Sequence, residues 1–165
     1  MLLQQRRIQV DPAELLSETL AVKRCALVVK GGRRFSFSAF VVSGNENGLI
    51  GLGHGKAKEV SSSIEKAGKD ARKRLIPVER HGSTIPHRVV GKFGASRILL
   101  MPAAPGTGVI ACTPVRALMQ VAGIHDILTK SFGSNNPVNL VKATIAGLVR
   151  FRGRATVYNL RGVRL

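Results

Sequence analysis

An apolar stripe in the first half of the chain limits what it can fold into more than any other feature. Ala57, Val60, Ile64, Ala67, Ala71 and Leu75 recur at spacings of three and four, which marks a helix with one buried side. Lys66, Lys69, Arg72, Lys73 and Arg74 fill the rest, so the other side is basic and open to solvent or ligand. Pro77 stops the helix. Such a helix needs an apolar surface to lie on, and the preceding residues supply one. Leu20 to Lys30 reads as a strand that Gly31-Gly32 breaks. Phe35, Phe37, Ala39 and Val41 alternate with smaller or polar residues, the period of a half-exposed strand. Gly44 to Gly48 is a turn and Leu49 to Leu52 a third strand. The expectation is a three-stranded antiparallel meander with one helix on its face.

Before this unit, residues 1–18 read as an extension with one short helical turn, capped by Asp11 and started by Pro12. The meander and helix occupy 19–80, and a Gly- and Pro-punctuated stretch from Glu79 to Pro86 marks a boundary. Residues 81–150 then carry a different pattern. Val89-Val90, Arg97 to Met101 and Val109 to Ala111 are strand-like. Thr113 as cap and Pro114 in the first turn open an amphipathic helix that Gly123 ends. Ile127 to Phe132 is a strand, and Asn136-Pro137 repeats the cap-then-proline device before a helix to about Leu148. The fold class is α+β, with a βαβα-type second half covered on one face of its sheet and a basic tail over 151–165.

Charge narrows the function. Lys and Arg total 26 against 9 acids, a formal charge of +17, and Asp126 is the single acid beyond Glu79. A folded chain this lopsided repels itself unless a polyanion neutralises it, and the natural polyanion is a nucleic acid. No apolar run approaches the length of a membrane span, and Met1-Leu-Leu-Gln-Gln-Arg-Arg7 has no secretory pattern, so the expected location is cytosol or an organellar matrix. Cys25 and Cys112 lack metal or disulfide spacing, and His54, His81, His87 and His125 fall singly. No metal or cofactor is expected.

Two loops are candidates for phosphate contact. Gly51-Leu-Gly-His-Gly-Lys-Ala-Lys-Glu-Val60 reads as a glycine-rich turn feeding a helix start, with Gly53, Gly55, Lys56 and Lys58 against an RNA backbone. It is not a nucleotide-binding P-loop. Three residues rather than four separate Gly51 from Gly55-Lys56, and Ala57 stands where the Mg²⁺-binding hydroxyl belongs. Lys30-Gly31-Gly32-Arg33-Arg34 is the second loop, three cations on a glycine tip suited to phosphates. With six Phe, one Tyr and no Trp, the aromatics read as strand-face residues rather than base-stacking platforms, which favours folded, helical RNA recognised by shape and backbone.

A rival lies further on. Gly106-Thr-Gly-Val-Ile-Ala111 fits the loose G-x-G-x-x-A dinucleotide pattern, and Asp126 follows at the distance of a ribose-binding acid. Against it, the next helix starts only at Thr113-Pro114, Asp126 precedes its strand, and the second half is too short for two βαβαβ units. No paired carboxylates or nucleophile–base spacing suggests catalysis, so the chain reads as a binder and not an enzyme.

Taken together, several segments resemble one family. Val29-Lys-Gly-Gly-Arg-Arg-Phe-Ser-Phe37, Gly51 to Val60, Pro105-Gly-Thr-Gly-Val-Ile-Ala111, Val121-Ala-Gly-Ile-His125 and Gly133-Ser-Asn-Asn-Pro137 appear in order. In that order they resemble bacterial-type ribosomal protein S5 of the small subunit, over roughly residues 15–150. The resemblance implies a double-stranded-RNA-binding-like N-terminal domain and a C-terminal α/β domain of the S5 domain-two type. It implies contact of both halves with small-subunit rRNA, with Lys30, Gly31, Gly32, Arg33 and Arg34 in the spectinomycin region. It places Gly106, Gly108 and Arg116 toward ribosomal protein S-four, an interface tied to decoding accuracy. It further implies ribosomal protein S-three and mRNA at the entry channel, and S-eight at the tail. The chain departs from the family pattern in two places. After Leu148 it lacks the usual Ser-Pro-Glu-Glu-like helix start and keeps only Arg161-Gly162 as an echo, and Cys112-Thr113-Pro114 stands where smaller, glycine-rich residues are usual. The alternative function is a free-standing double-stranded-RNA-binding regulator using the first half alone. A small dinucleotide-dependent oxidoreductase comes third.

Overall fold

The computed structural model describes residues 15–162, so the helical turn expected at Asp11-Pro12 lies outside the described residues. Twelve elements follow in order: β1 (Leu16–Val29), β2 (Gly32–Gly44), β3 (Leu49–Ala57), α1 (Val60–Lys73), β4 (Leu75–Pro77), β5 (Val89–Phe93), β6 (Ser96–Pro102), β7 (Val109–Ile110), α2 (Thr113–Ala122), β8 (Ile127–Gly133), α3 (Pro137–Leu148) and α4 (Arg154–Arg161). They form two four-stranded sheets, ordered β1-β2-β3-β4 and β5-β6-β8-β7. The first is antiparallel throughout, and the second is antiparallel apart from the parallel pair β7 and β8.

The meander is present, with longer strands than expected. β1 begins at Leu16, inside the expected extension, and β4 is an added fourth strand, its Leu75 paired with Gly51. Leu75 thus leaves the helix for the sheet.

The helix stripe is also narrower than its apolar pattern. Ser63, Ala67 and Ala71 are the buried residues of α1, while Val60 is exposed. They lie against Gly55, Gly53 and Gly51 respectively, running antiparallel along β3. Four residues of helix advance about 6.0 Å and two of strand about 6.6 Å, so the small residues of each element meet in step. At Gly53 a Cβ would sit 2.9 Å from the Ala67 carbonyl carbon and overlap its oxygen. The glycines of Gly51–Gly55 are therefore strand residues whose missing side chains seat the helix, which corrects their reading as a turn.

α2 lies between the two sheets. Its Val115, Leu118, Met119, Val121 and Ala122 join one core with Val42 and Ile50 from the first sheet and Ile98, Leu100 and Ile127 from the second. α3 packs on β5 and β6 and touches α2. The helix stops at Gly123 as expected, in the left-handed conformation (φ 73°) that only glycine adopts cheaply. Its start differs by one residue. Cys112 is the N-cap, Thr113 is the first helical residue, and no side chain caps the end. Asn136 is the N-cap of α3 as expected, also without a side-chain cap bond. The tail expected over 151–165 contains α4, closed by Gly162 in the left-handed region.

The expected boundary is built as a junction. Arg80 donates from Nη1 to the carbonyls of Glu46 (2.9 Å) and Gly123 (3.0 Å). Beside it, the Glu46 N–H donates to Val121 O (3.0 Å) and the Gly48 N–H to Ala122 O (3.2 Å).

Candidate nucleic-acid interface

β1 and β2 run on past α1 as a two-stranded arm. Val29 pairs with Gly32, leaving Lys30 and Gly31 as a two-residue turn, with Gly32 at φ 134°. Successive strand residues face opposite sides. Arg33, paired with Val28, lies on the α1 side, whereas Arg34, paired with Leu27, lies on the other. Lys30, Arg33 and Arg34 are all exposed, so the tip is positive on both faces. From Thr19 to Asn45 there is no Asp or Glu to offset them.

The register brings in residues that the linear motif missed. Lys23, Ser38 and Lys56 form one row across β1, β2 and β3, on the face turned away from α1. Arg34 lies on that face about 13 Å further out, four strand residues along. Arg24 lies on the opposite face with Arg33. Lys23 and Arg24 carry no glycine motif, and their signal was the acid-free run extending back into β1. His54, in the next row inward, stacks on Phe40 with ring centroids 4.5 Å apart, and its Nε2 is 2.7 Å from Ser38 Oγ.

Lys56 and Lys58 precede α1 rather than forming its first turn. Lys56 is in β3, and Lys58 is in the bend before Glu59, the N-cap of α1. Gly53 and Gly55 face the helix backbone, so they offer no close approach on that side. The basic side of α1 is partly neutralised internally. Lys69 bonds Glu65 at 2.6 Å and Arg74 bonds Asp70 at 3.1 Å. Lys69 holds the Glu65 carboxyl below its ordinary pKa, by hydrogen bond and then by charge. Asp70 also accepts the His54 N–H at 3.1 Å.

The second cluster is separate from the arm. Gly106 and Gly108 have φ of 89° and 76°, and both backbone N–H groups donate to Asp126 Oδ1, at 3.0 and 2.9 Å. The Ser83 hydroxyl contributes most to holding the Asp126 carboxyl below its ordinary pKa. The Gly108 N–H adds to this, burial opposes it, and the Gly106 N–H and His125 contribute further. The acid that fits a ribose-binding position in sequence is thus consumed by its own loop, which removes the dinucleotide reading. Arg116 is exposed in α2, and its Nη2 donates to Ala111 O at 3.3 Å, bracing the chain between this loop and the helix.

Two family models match the chain: "Ribosomal protein S5, N-terminal domain" over residues 15–79 and "Ribosomal protein S5, C-terminal domain" over 91–161. The chain belongs to the ribosomal protein S5 family. It is 53% identical over 151 residues to "Small ribosomal subunit protein uS5" of Rhodopirellula baltica, covering 92% of this chain and 85% of that one. As an S5 protein it is a structural, rRNA-binding component of the small ribosomal subunit and not an enzyme. The arm lies in the N-terminal match, and Gly106, Gly108 and Arg116 lie in the C-terminal one. The C-terminal match runs to residue 161 and so includes α4, the first part of the atypical tail. Among the described residues, no helix is long and apolar enough to cross a membrane.

Proposed function

We propose that this S5 protein holds small-subunit rRNA chiefly through the β1–β2 arm, and thereby supports subunit assembly, mRNA entry and decoding accuracy. One observation carries the reading: a two-stranded arm with cations on both faces and no acid between Thr19 and Asn45. Lys30, Arg33 and Arg34, together with Lys56 and Lys58, replace counterions on rRNA phosphates, while Gly31 and Gly32 let the tip approach closely. Gly53 and Gly55 serve that contact indirectly, by seating α1 against the strand that carries Lys56. The Gly106–Gly108 loop and Arg116 form the side turned to ribosomal protein S-four, with S-three and mRNA at the entry channel. The tail with α4 is the side for S-eight. The regulator reading, which needs a self-sufficient first half, is disfavoured by the core that Val42 and Ile50 share with α2.

The test is incorporation. Tagged wild-type protein is expected to stay with the small subunit on a sucrose gradient through a high-salt wash. Arg33→Glu and Arg34→Glu are expected to slow assembly or alter the response to spectinomycin. Wild-type assembly, growth and drug sensitivity in both variants would remove the role given to the arm.

A further inference from the structure

The arm carries more than charge. α1 covers the first sheet out to the Ala39–Gly55 row, where Ser63 sits, and further out no helix among the described residues packs on the β1–β2 ribbon. Isolated two-stranded ribbons are marginal in water, and exposed apolar side chains on one call for a cover. Leu27 is 65% exposed on one face, while Val28 and Phe35 are 72% and 47% exposed on the other. The aromatics divide accordingly. Phe37 and Phe40 are half-buried and Phe40 stacks on His54, so both behave as the strand-face residues expected of them, and Phe35 does not.

Phe35 is also held in place. Its cross-strand partner is Ala26, a side chain too small to cover it. The Arg24 guanidinium lies 4.7 Å from the ring centroid. That contact orients the ring and puts a cation over one of its two faces, with Arg33 on the same side of the ribbon. An exposed aromatic with a guanidinium over one face and a second arginine on the same side of the ribbon has the chemistry of a nucleotide seat, with its other π-face for the base and cations for the phosphates. The acid-free surroundings select RNA over an acid-bearing protein surface of mixed charge. Bases inside a duplex are already stacked, so the occupant is an unpaired base.

We propose that Phe35 stacks an unpaired rRNA base, with Arg24 and Arg33 on the adjoining phosphates. This rests on the assignment of the arm to rRNA and adds to it a nucleotide-specific contact.

The experiment uses the full chain and in vitro transcribed small-subunit rRNA. It reads dissociation constants across a salt series and chemical reactivity of the RNA bases. Phe35→Leu keeps apolar bulk without the π-face, Phe35→Tyr keeps the face, and Arg33→Gln removes a cation. The expected result for Phe35→Leu is roughly tenfold weaker binding at an unchanged salt slope, with an unpaired base made more reactive. Phe35→Tyr is expected to match wild type, which separates stacking from a folding defect. Wild-type affinity and reactivity in Phe35→Leu, with Arg33→Gln still lowering affinity and slope, would overturn the stacking contact and leave the arm on phosphates alone. If Arg33→Gln were also silent, the rRNA assignment of the arm would fall with it. Loss of subunit incorporation by Phe35→Leu without any change in rRNA binding would overturn the proposal in favour of a protein cover.

Discussion

Gly53→Ala tests the reasoning about how α1 is seated. The new Cβ would lie 2.9 Å from the Ala67 carbonyl carbon and would overlap Ala67 O and the Ala71 amide nitrogen. All of these are helix backbone, so no side-chain rotation relieves the clash. Ordinary contact between carbons is about 3.5–4.0 Å, and the overlapping oxygen and nitrogen lie closer still, so the helix must retreat by more than about 1 Å. The retreat also loosens the Gly51–Ala71 and Gly55–Ser63 contacts, because the three pairs belong to one stiff element. A gap of that size forfeits up to about half of each dispersion contact, and overpacking of this kind costs about 3 kcal/mol in total. The melting temperature should fall by about 6–12 °C for a chain of this length. Gly68→Ala is the control. Gly68 is in the same helix with nothing within 4 Å of a built Cβ, and the substitution should stabilise by about 0.5–1 kcal/mol. Urea titrations of both variants at matched m-value give the comparison. A Gly53→Ala unfolding free energy within about 0.5 kcal/mol of wild type would refute the close approach.

Arg80→Ala removes the donor that joins the Glu46 and Gly123 carbonyls and should cost about 1.5–3 kcal/mol. Amide exchange at Glu46 and Gly48 should quicken with it, and unchanged exchange there would deny the clamp. Asp126→Asn removes the charge that the Gly106 and Gly108 N–H groups and the Ser83 hydroxyl favour. Because the folded carboxyl titrates below its unfolded value of about 3.9, its contribution is present above that pH and lost as pH falls through the folded pKa. Wild-type stability should therefore drop on acidification below about pH 4, and the Asp126→Asn profile should be flatter across that window.

Much of the architecture was legible because several elements obey local rules. The Gly31-Gly32 break between two strands and the stop at Gly123 follow from the backbone freedom of glycine, and the Asn136-Pro137 start from the fixed φ of proline. The Gly51–Gly55 series was misread because glycine serves two ends. Read alone, it suggests a turn, and only the small residues of α1 at spacing four show that the spacing-two glycines make room for a helix. Leu75 continued the helix stripe by periodicity, but pairing with Gly51 outweighed it and made β4. α4 left little trace because it is only eight residues long and starts at Gly153 without a side-chain cap. At the candidate site, Lys30, Arg33 and Arg34 stand out along the chain. Lys23, Arg24 and the exposure of Phe35 depend on cross-strand register and on where α1 ends, which no linear spacing encodes.

The central claim is that the arm binds rRNA by replacing counterions, and the salt dependence of rRNA binding tests it most directly. With Lys23, Arg24, Lys30, Arg33 and Arg34 all changed to Gln, the slope of log affinity against log salt should fall by about four, and affinity at low salt should drop steeply. A slope and affinity equal to those of wild type would contradict the account and move the rRNA contact elsewhere on the protein.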